Sequence, residues 1–480
     1  MKPAGAGRFG AAWIAWPLGL YGLGCATTGM LAYADIEIWL LALYISGGVA
    51  AFAGWRSLRG VDVWRRYLSF GSVLLLVCVA NRVFYASDYL MYGPRFDEWP
   101  VFSSAPEWAL AKGEIITVVG TLLTVLVWIL GGGHEVSIGA LFTRPKQNRR
   151  LMWILYLVSI ATLLLSLVNP VVVSALGQLV PVLLTLGLVA GALLSVLLTH
   201  TLSMQLAATT VLTLPFLIFS LGLGMKEGII LSLIPIAISA WRAVRHPILR
   251  TGLVVFAFVT VGLLTAYVGF YRDEVWLTNS DKPTQEVLSD FVTDIESKGL
   301  FPVVADGVVQ FVARSNATVH RGWTVAVADE QGFYSELVFA PMAYVFVPRV
   351  LWPEKPAIEQ GKQYSGLLYG ASYMDQSGSS SAAGLYTSFY LGGGWTAVFL
   401  GSIALGFLIA ITSRLAQRAG GSVCAGLYLV ALLPYMLRLD ETWSVGALSG
   451  PVISLVYVIA IVQVTRWVDG FFLGAAGRLR

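Results

Sequence analysis

Apolar stretches of about 20 residues recur along most of the chain, and they limit what it can fold into more than any other feature. A helix of that length crosses the hydrocarbon core of a bilayer, which is about 30 Å thick. The sequence therefore predicts an all-α, polytopic integral membrane protein with about 12 transmembrane helices. The predicted spans are 11–34, 38–54, 67–86, 115–133, 151–168, 171–198, 202–224, 229–241, 251–271, 384–411, 422–438 and 444–466.

The supply of charge supports the same class of protein. Only 12% of the 480 residues are charged, about half the share found in soluble domains. So little charge excludes a disordered chain and an ordinary soluble enzyme of this length. The cysteines Cys25, Cys78 and Cys424 lie far apart in apolar stretches, so we expect small buried apolar residues and no disulfide framework.

The distribution of lysine and arginine predicts the orientation in the membrane. With the N-terminus inside, the predicted cytoplasmic segments hold 18 of the 31 basic residues but only three of the 27 acidic residues. Basic residues concentrate in the cytoplasmic loops of membrane proteins, and the opposite orientation would place most of the short basic loops outside. Both termini are therefore expected in the cytoplasm.

The chain is expected to consist of three regions: 1–271 with about nine transmembrane helices, 272–383 as one large extracytoplasmic loop, and 384–480 with about three further transmembrane helices. Acidic residues are concentrated in the loop, but its apolar runs are not typical of a disordered segment. A loop of this length in a compact protein is usually functional.

Three parts of this loop have a predicted form. Residues 287–298 have the spacing of an amphipathic helix, with apolar side chains recurring every four residues. The apolar run 333–350 contains two prolines and predicts an interfacial or re-entrant helix on the outer face. The Ser/Gly-rich segment 377–381 indicates a flexible hinge or, alternatively, a lid over an active site.

The segment 347–356 is the strongest local signal for a binding site. Its three prolines exclude a regular helix and favour a rigid, extended backbone. Arg349 and Lys355 would then be held at the membrane surface beside Trp352, where two fixed cations suit a pyrophosphate or another anionic headgroup. The alternative is that both side chains bind the phosphates of ordinary lipids.

Further candidate residues lie in two other places. Arg314, His320 and Arg321 fall within eight residues in the predicted outer loop, where arginine can bind phosphate and histidine can transfer a proton near neutral pH. Lys226 and Glu227 interrupt two apolar runs at the predicted outer face. They form either a neutral helix hairpin or a site with an exposed cation, because charge at that depth is costly unless it is used.

The sequence contains no phosphate-binding loop, no cluster with the spacing of metal ligands and no cytoplasmic domain for a nucleotide. We expect no cofactor, no metal and no nucleic-acid partner. Any substrate would therefore have to be already activated and already outside.

Three motifs resemble one known family. Pro348-Arg349-Val350-Leu351-Trp352-Pro353-Glu354-Lys355-Pro356 resembles the signature of bacterial oligosaccharide-repeat-unit polymerases, the Wzy-type O-antigen polymerases. The turn 224–228 resembles the Gly-Ser-Arg-Gly-like turn of the wider polymerase and O-antigen ligase group, with Lys226 in place of arginine. Residues 384–393 resemble the segment that opens the span after the large loop, although Leu385 stands where the family often has an acid.

The resemblance implies a GT-C-like glycosyltransferase at the outer face of the bacterial inner membrane. The substrate would be undecaprenyl-pyrophosphate-linked oligosaccharide within membrane lipid, and a flippase and a chain-length regulator of the same pathway would be partners. We expect a cationic clamp for the pyrophosphate and a base for the acceptor hydroxyl. The clamp would consist of Lys226, Arg314, Arg321, Arg349 and Lys355, with Arg314 and Arg321 also acting in catalysis. The base would be His320, with Asp329, Glu330 or Glu336 as substitutes.

Three alternatives remain open at this point. An O-antigen ligase would transfer finished glycan to another acceptor. A transporter of lipid-linked oligosaccharide or solute would favour internal repeats and polar broken helices at the midplane. The sequence shows no repeat between its halves, and its charged candidates collect outside. A structural membrane component without catalysis would not need the arginine and lysine pattern of the loop.

Overall fold

The computed structural model describes residues 106–132, 141, 149–168, 179–222, 226–244, 246–276, 282–315, 318–347, 352, 354–369, 382–437 and 442–478, apart from some side chains within these ranges. The predicted spans 11–34, 38–54 and 67–86 and the predicted hinge 377–381 lie outside these residues. Within the described ranges the chain forms helices and no strands, so the prediction of an all-α protein is confirmed.

Thirteen α-helices are described. They are α1 (Glu107–Leu130), α2 (Arg149–Val168), α3 (Leu179–Leu198), α4 (Leu202–Gly222), α5 (Lys226–Ala243), α6 (Pro247–Tyr271), α7 (Thr284–Lys298), α8 (Leu300–Ser315), α9 (Thr318–Gln331), α10 (Ser335–Phe339), α11 (Gln360–Tyr369), α12 (Leu385–Leu437) and α13 (Ser444–Arg478). A π-helical segment, Arg272–Trp276, follows α6, and a 3₁₀-helix, Ala340–Ala343, follows α10.

Five helices in the described residues are long and apolar enough to cross a membrane. The apolar parts are Trp108–Leu130, Leu202–Leu221, Pro247–Val275, Leu385–Met436 and Ser444–Trp467. Shorter apolar helices cover Val182–Leu198, Leu231–Ala243 and Leu300–Phe311. Since α12 runs through two predicted spans and three spans fall outside the description, the count of twelve stays a prediction.

Two predictions for the large loop have clear outcomes. The amphipathic helix is confirmed as α7, in which Val287 and Phe291 are buried and Ile295 packs beside them. The run 333–350, expected as an interfacial or re-entrant helix with two prolines, is interrupted in its described part, because α10 ends at Phe339 and a 3₁₀-helix and a turn follow. Pro341 explains the break, since proline lacks the N–H that would continue an α-helix.

The described residues fall into two compact units. The continuous unit comprises Arg144–Arg314, and the discontinuous unit combines Met1–Thr143 with Ser315–Arg480. The predicted loop 272–383 contributes residues to both. In the continuous unit, α7 packs on α6 through aromatic rings, with centroids 5.5 Å apart for the pairs Tyr267–Phe291 and Phe270–Phe291.

In the discontinuous unit, α1 and α12 run side by side in the same direction. The Thr124 hydroxyl in α1 donates to the carbonyl of Ser402 in α12 at 3.3 Å. About two turns further along both helices, Gly131 packs against Ala410. The start of α13 contacts the start of α12, because the N–H of Ser444 donates to the Ser388 hydroxyl at 3.1 Å. The candidate spans in these three helices therefore begin at the same end of the unit.

Two glycines break α12 into shorter segments. Gly394 has φ +62° and Gly421 has φ +73°, both in the left-handed region that glycine adopts most easily. The second break lies between the predicted spans 384–411 and 422–438. The first break lies nine residues after the start of the helix, close to the site described below.

Replacement of Gly307 by alanine should destabilise the continuous unit. A Cβ at Gly307 in α8 would overlap the carbonyl oxygen of Gly262 in α6, and backbone cannot move aside as a flexible side chain can. We expect Gly307→Ala to lower stability by about 1–3 kcal/mol, the usual cost of overpacking. The apparent melting temperature of the detergent-purified protein measures this loss.

Gly252→Ala is the matched control, because a Cβ at Gly252 in α6 would meet nothing within 4 Å. Its melting temperature should be equal to or above that of the wild type, since alanine is the better helix former. Equal melting of the Gly307→Ala protein and the wild type would contradict the close approach of the two helices.

Candidate functional site

The predicted site residues lie in three different situations. Arg349 lies outside the described residues. Lys226 begins α5 and Arg314 lies near the end of α8, both in the continuous unit, and their side chains are outside the description. His320, Arg321 and Lys355 belong to the discontinuous unit, and their surroundings are defined.

Arg321 forms a buried ion pair with a residue that sequence reasoning did not select. Its Nη1 lies 2.7 Å from Oε1 of Glu114 in α1, and the two side chains are only 4% and 8% exposed. The backbone of Arg321 packs directly against Gly113, where a Cβ would approach its carbonyl carbon to 3.2 Å. The positive charge of Arg321 is thus compensated by Glu114 and joins α9 to α1.

Lys355 is buried and holds a turn together. Its ammonium group donates to the carbonyl oxygens of Val345 at 3.2 Å and Val347 at 2.9 Å. It also lies 5.9 Å from the centre of the Tyr344 ring, whose other neighbour is the half-exposed Trp352. These contacts fasten the proline-rich segment to the end of the 3₁₀-helix.

His320 lies one residue before Arg321 on α9 and is partly buried. Its carbonyl oxygen accepts hydrogen bonds from the hydroxyls of Thr324 at 2.7 Å and Tyr364 at 3.3 Å. The ring atom Nδ1 is shielded from solvent. His320 therefore stands beside a buried hydroxyl pair, in which the oxygens of Thr324 and Tyr364 are 2.5 Å apart.

Asp329 contacts both a lysine and a tyrosine. Its Oδ2 lies 2.5 Å from the ammonium group of Lys112 in α1, and its Oδ1 accepts a hydrogen bond from the Tyr390 hydroxyl at 2.7 Å. The ammonium group also lies 4.9 Å from the centre of the Tyr390 ring. The side chains of Lys112 and Asp329 are 30% and 24% exposed, so a ligand can reach this pair.

Aromatic rings surround this group on α12 and on the loop after α9. Phe333 and Trp395 each make an edge contact with Tyr390, at centroid distances of 6.1 and 6.0 Å. Phe333 is 56% exposed, so its ring is open to a ligand beside Tyr390. We refer to Lys112, Asp329, Phe333, Tyr390 and Trp395 as the acid–aromatic site.

The break in α12 makes room for these rings. A Cβ at Gly394 would lie 2.8 Å from the ring of Phe333. The loop that carries Phe333 is fixed at the same place, because the N–H of Tyr334 donates to the carbonyl of Leu391 at 2.8 Å. Gly394 thus satisfies two needs at once, a left-handed backbone and space for the neighbouring ring.

The arrangement suits a ligand with hydroxyl groups and apolar faces. A carboxylate held by an ammonium group and a phenol can accept a proton or a hydrogen bond from a hydroxyl. The exposed ring of Phe333 beside it offers a flat apolar surface. Within the described residues no three His, Cys, Asp or Glu side chains come close enough to share a metal ion.

Of the three substitute bases, the structure distinguishes Asp329 from the other two. Glu330 and Glu336 are exposed, and no contact joins either side chain to the acid–aromatic site. Sequence reasoning named Asp329 as a substitute base but missed Lys112, Glu114 and Tyr390. The signal available was the pair of opposite charges at positions 112 and 114, just before a predicted span.

Removal of one partner of the buried ion pair should destabilise the discontinuous unit. Glu114→Gln would leave the charge of Arg321 uncompensated, at an expected cost of about 3–5 kcal/mol. The double variant Glu114→Leu/Arg321→Met should recover much of that loss, because apolar residues of similar size can replace a buried pair. Thermal unfolding of the purified variants measures both effects.

Glu359→Gln is the control for this experiment. Glu359 and Lys362 form an exposed pair at 3.9 Å, each side chain being 52% exposed, and such pairs contribute less than about 1 kcal/mol. If Glu114→Gln and Glu359→Gln changed stability equally, the pair of Arg321 and Glu114 would not be a structural contact.

Comparison of the chain with curated proteins finds no match, and comparison with solved structures finds none either. One family model does match, over residues 79–438, which is three quarters of the chain. The matched region contains all the described helices from α1 to α12 and the whole acid–aromatic site. The chain therefore belongs to the family described as a domain of unknown function, DUF8712.

Proposed function

We propose that this protein joins undecaprenyl-pyrophosphate-linked oligosaccharide repeat units into a surface polysaccharide, by metal-independent glycosyl transfer at the outer face of a bacterial inner membrane. The observation that carries the proposal is the acid–aromatic site, in which the Asp329 carboxylate contacts Lys112 and Tyr390 beside the exposed ring of Phe333. The resemblance of the segment 348–356 to oligosaccharide-repeat-unit polymerases supports the same reaction.

The position of the site agrees with a substrate at the membrane surface. Lys112 lies in the first turns of the candidate span Trp108–Leu130, and Tyr390 lies in the first turns of Leu385–Met436. The orientation predicted from the basic loops would place this end of both helices outside. A lipid-linked sugar extends from the bilayer at that level.

Asp329 is the base that we assign for the acceptor. The acceptor sugar hydroxyl would transfer its proton to the Asp329 carboxylate, and its oxygen would form a bond to the anomeric carbon of the donor. The bond between that carbon and the diphosphate would break, and undecaprenyl diphosphate would leave with the bonding electrons. Asp329 is more accessible than His320, whose Nδ1 is shielded.

Arg349 is the cation that we assign to the leaving diphosphate. Arg321 is compensated by Glu114, and Lys355 is bonded to two backbone carbonyls, so neither offers an uncommitted charge. Arg349 lies six residues before Lys355 in the sequence. Its planar guanidinium would bind two oxygens of a diphosphate and stabilise their charge without a metal.

Asp329→Asn should abolish polymerisation, and the variant should still fold. Loss of the base is expected to reduce the rate by about 10²–10⁴-fold, since general base catalysis contributes that much. The measurement is the ladder of products formed from a purified lipid-pyrophosphate oligosaccharide. Glu330→Gln is the matched control, because the neighbouring residue is exposed and should keep the wild-type rate.

His320→Ala completes the comparison of bases. If the histidine variant lost activity completely while Asp329→Asn kept the wild-type rate, the base would be His320 and our assignment would be wrong. A single added unit in place of a ladder would support the ligase alternative. Absence of any transfer by the wild-type protein, with the donor shown to be intact, would contradict the proposed reaction.

Arg349→Ala should abolish glycan polymerisation while the protein still inserts into the membrane at the normal level. The reason is loss of the charge that stabilises the departing diphosphate. Lipopolysaccharide or capsule profiles of a complemented deletion strain, together with the amount of protein in membranes, measure both properties. Unchanged polymer length would remove Arg349 from the site, and Lys362→Ala serves as a control because Lys362 is exposed.

A further inference from the structure

The corner between α5 and α6, residues 241–250, combines basic and apolar side chains in a small space. α5 ends at Ala243 and α6 begins at Pro247, and the N–H of Val244 donates to the carbonyl of Ala240 at 3.0 Å, which tightens the end of α5. The sequence contains no acidic residue from position 228 to position 272. The cations of the corner therefore have no acid nearby in the chain.

Arg250 is held by two contacts that leave its outer nitrogens available. Its Nε donates to the carbonyl oxygen of Val244 at 2.9 Å. The centre of its guanidinium group lies 5.1 Å from the centre of the Trp241 ring. No acidic side chain in the described part of the chain pairs with Arg250. Among the described residues, the side chain is thus fixed in place by neutral groups and no acid compensates its charge.

A fixed guanidinium is suited to phosphate. The planar group presents parallel N–H donors that match two oxygens of one phosphate, and less freedom is lost when the side chain is already held. Arg242 adds a second, exposed cation in the last turn of α5. The corner therefore offers the parallel N–H donors of Arg250 together with the additional positive charge of Arg242.

The apolar side chains of the corner indicate where that phosphate comes from. Trp241, Ile248 and Leu249 are 46%, 73% and 60% exposed, although all three are large apolar residues. Water is an unfavourable neighbour for such side chains, whereas the interface between acyl chains and headgroups suits tryptophan and aliphatic residues flanked by arginine. A free phosphate ion would leave this apolar surface uncovered.

We propose that the 241–250 corner is a binding site for an anionic phospholipid, in which Arg250 binds the lipid phosphate, Arg242 contributes charge, and Trp241, Ile248 and Leu249 contact the acyl chains. The site has no role in the proposed glycosyl transfer and does not depend on it. Its preference is for a headgroup with net negative charge, such as phosphatidylglycerol, over the zwitterionic phosphatidylcholine.

Native mass spectrometry of the full-length, detergent-purified protein tests the site. Phosphatidylglycerol should bind more tightly than phosphatidylcholine, and Arg250→Gln should weaken phosphatidylglycerol binding about fivefold, as expected for one basic residue at an anionic surface. Trp241→Leu should also weaken binding, because it removes the stacking contact that fixes the guanidinium but leaves the charge. Melting temperatures of the variants show whether each one is folded.

Arg418→Gln is the matched control, since Arg418 is exposed on α12 and no tryptophan contact holds it. This variant should bind phosphatidylglycerol as the wild type does. Equal binding of the two lipids by the wild type, or equal loss in Arg250→Gln and Arg418→Gln, would overturn the proposal. Displacement of phosphatidylglycerol by inorganic phosphate at the same concentration would also overturn it, because the site would then recognise the ion and not the lipid.

Discussion

Two ion pairs of opposite sense determine how α1 lies against α9. Lys112 in α1 meets Asp329, and Glu114 in α1 meets Arg321, so each helix contributes one positive and one negative charge. Gly113 stands between the two α1 residues and lets the backbones approach closely. A shift of one helix along the other would break both pairs, and the buried one is costly to break. The register of these helices therefore follows from charge as much as from shape.

The two pairs differ in how much water reaches them, and this difference divides their roles. The pair of Arg321 and Glu114 is nearly inaccessible to solvent. Its two charges therefore compensate each other and hold α1 against α9. The pair of Lys112 and Asp329 is about a quarter exposed and shares Tyr390 as a third member. A partly exposed carboxylate can exchange hydrogen bonds with a ligand, while the buried pair keeps its position fixed.

Local sequence patterns were sufficient for the helices but not for the pairs between them. The spacing of Val287, Phe291 and Ile295 predicts α7 because a helical face repeats within a few residues. Lys112 and Asp329 are 217 positions apart, and no periodicity connects residues at that separation. The sequence identified Asp329 as a candidate base only because it is one of several acids in the loop. The contact that distinguishes it from Glu330 exists only in the folded chain.

The same limitation explains why predicted cations have such different surroundings. Sequence reasoning assigned five basic residues at the predicted outer face to a phosphate clamp, Arg321 and Lys355 among them. In the folded chain Arg321 has a carboxylate partner, and Lys355 is surrounded by backbone carbonyls. Whether a cation pairs with a carboxylate or with backbone carbonyls depends on the elements packed against it. Those elements come from distant parts of the chain.

Among the described residues, Arg250 differs from Arg321 in that its side chain is fixed without an acidic partner. Comparing the two shows that fixing a guanidinium group and compensating its charge are separate effects. Both guanidinium groups are fixed, Arg321 by a carboxylate and Arg250 by a carbonyl oxygen and an aromatic ring. A carboxylate cancels the charge of its partner, whereas a carbonyl and a ring hold the group and leave its net charge unchanged. An arginine fixed by neutral groups is therefore prepared to bind an anion, and one fixed by an acid is prepared to hold two helices together.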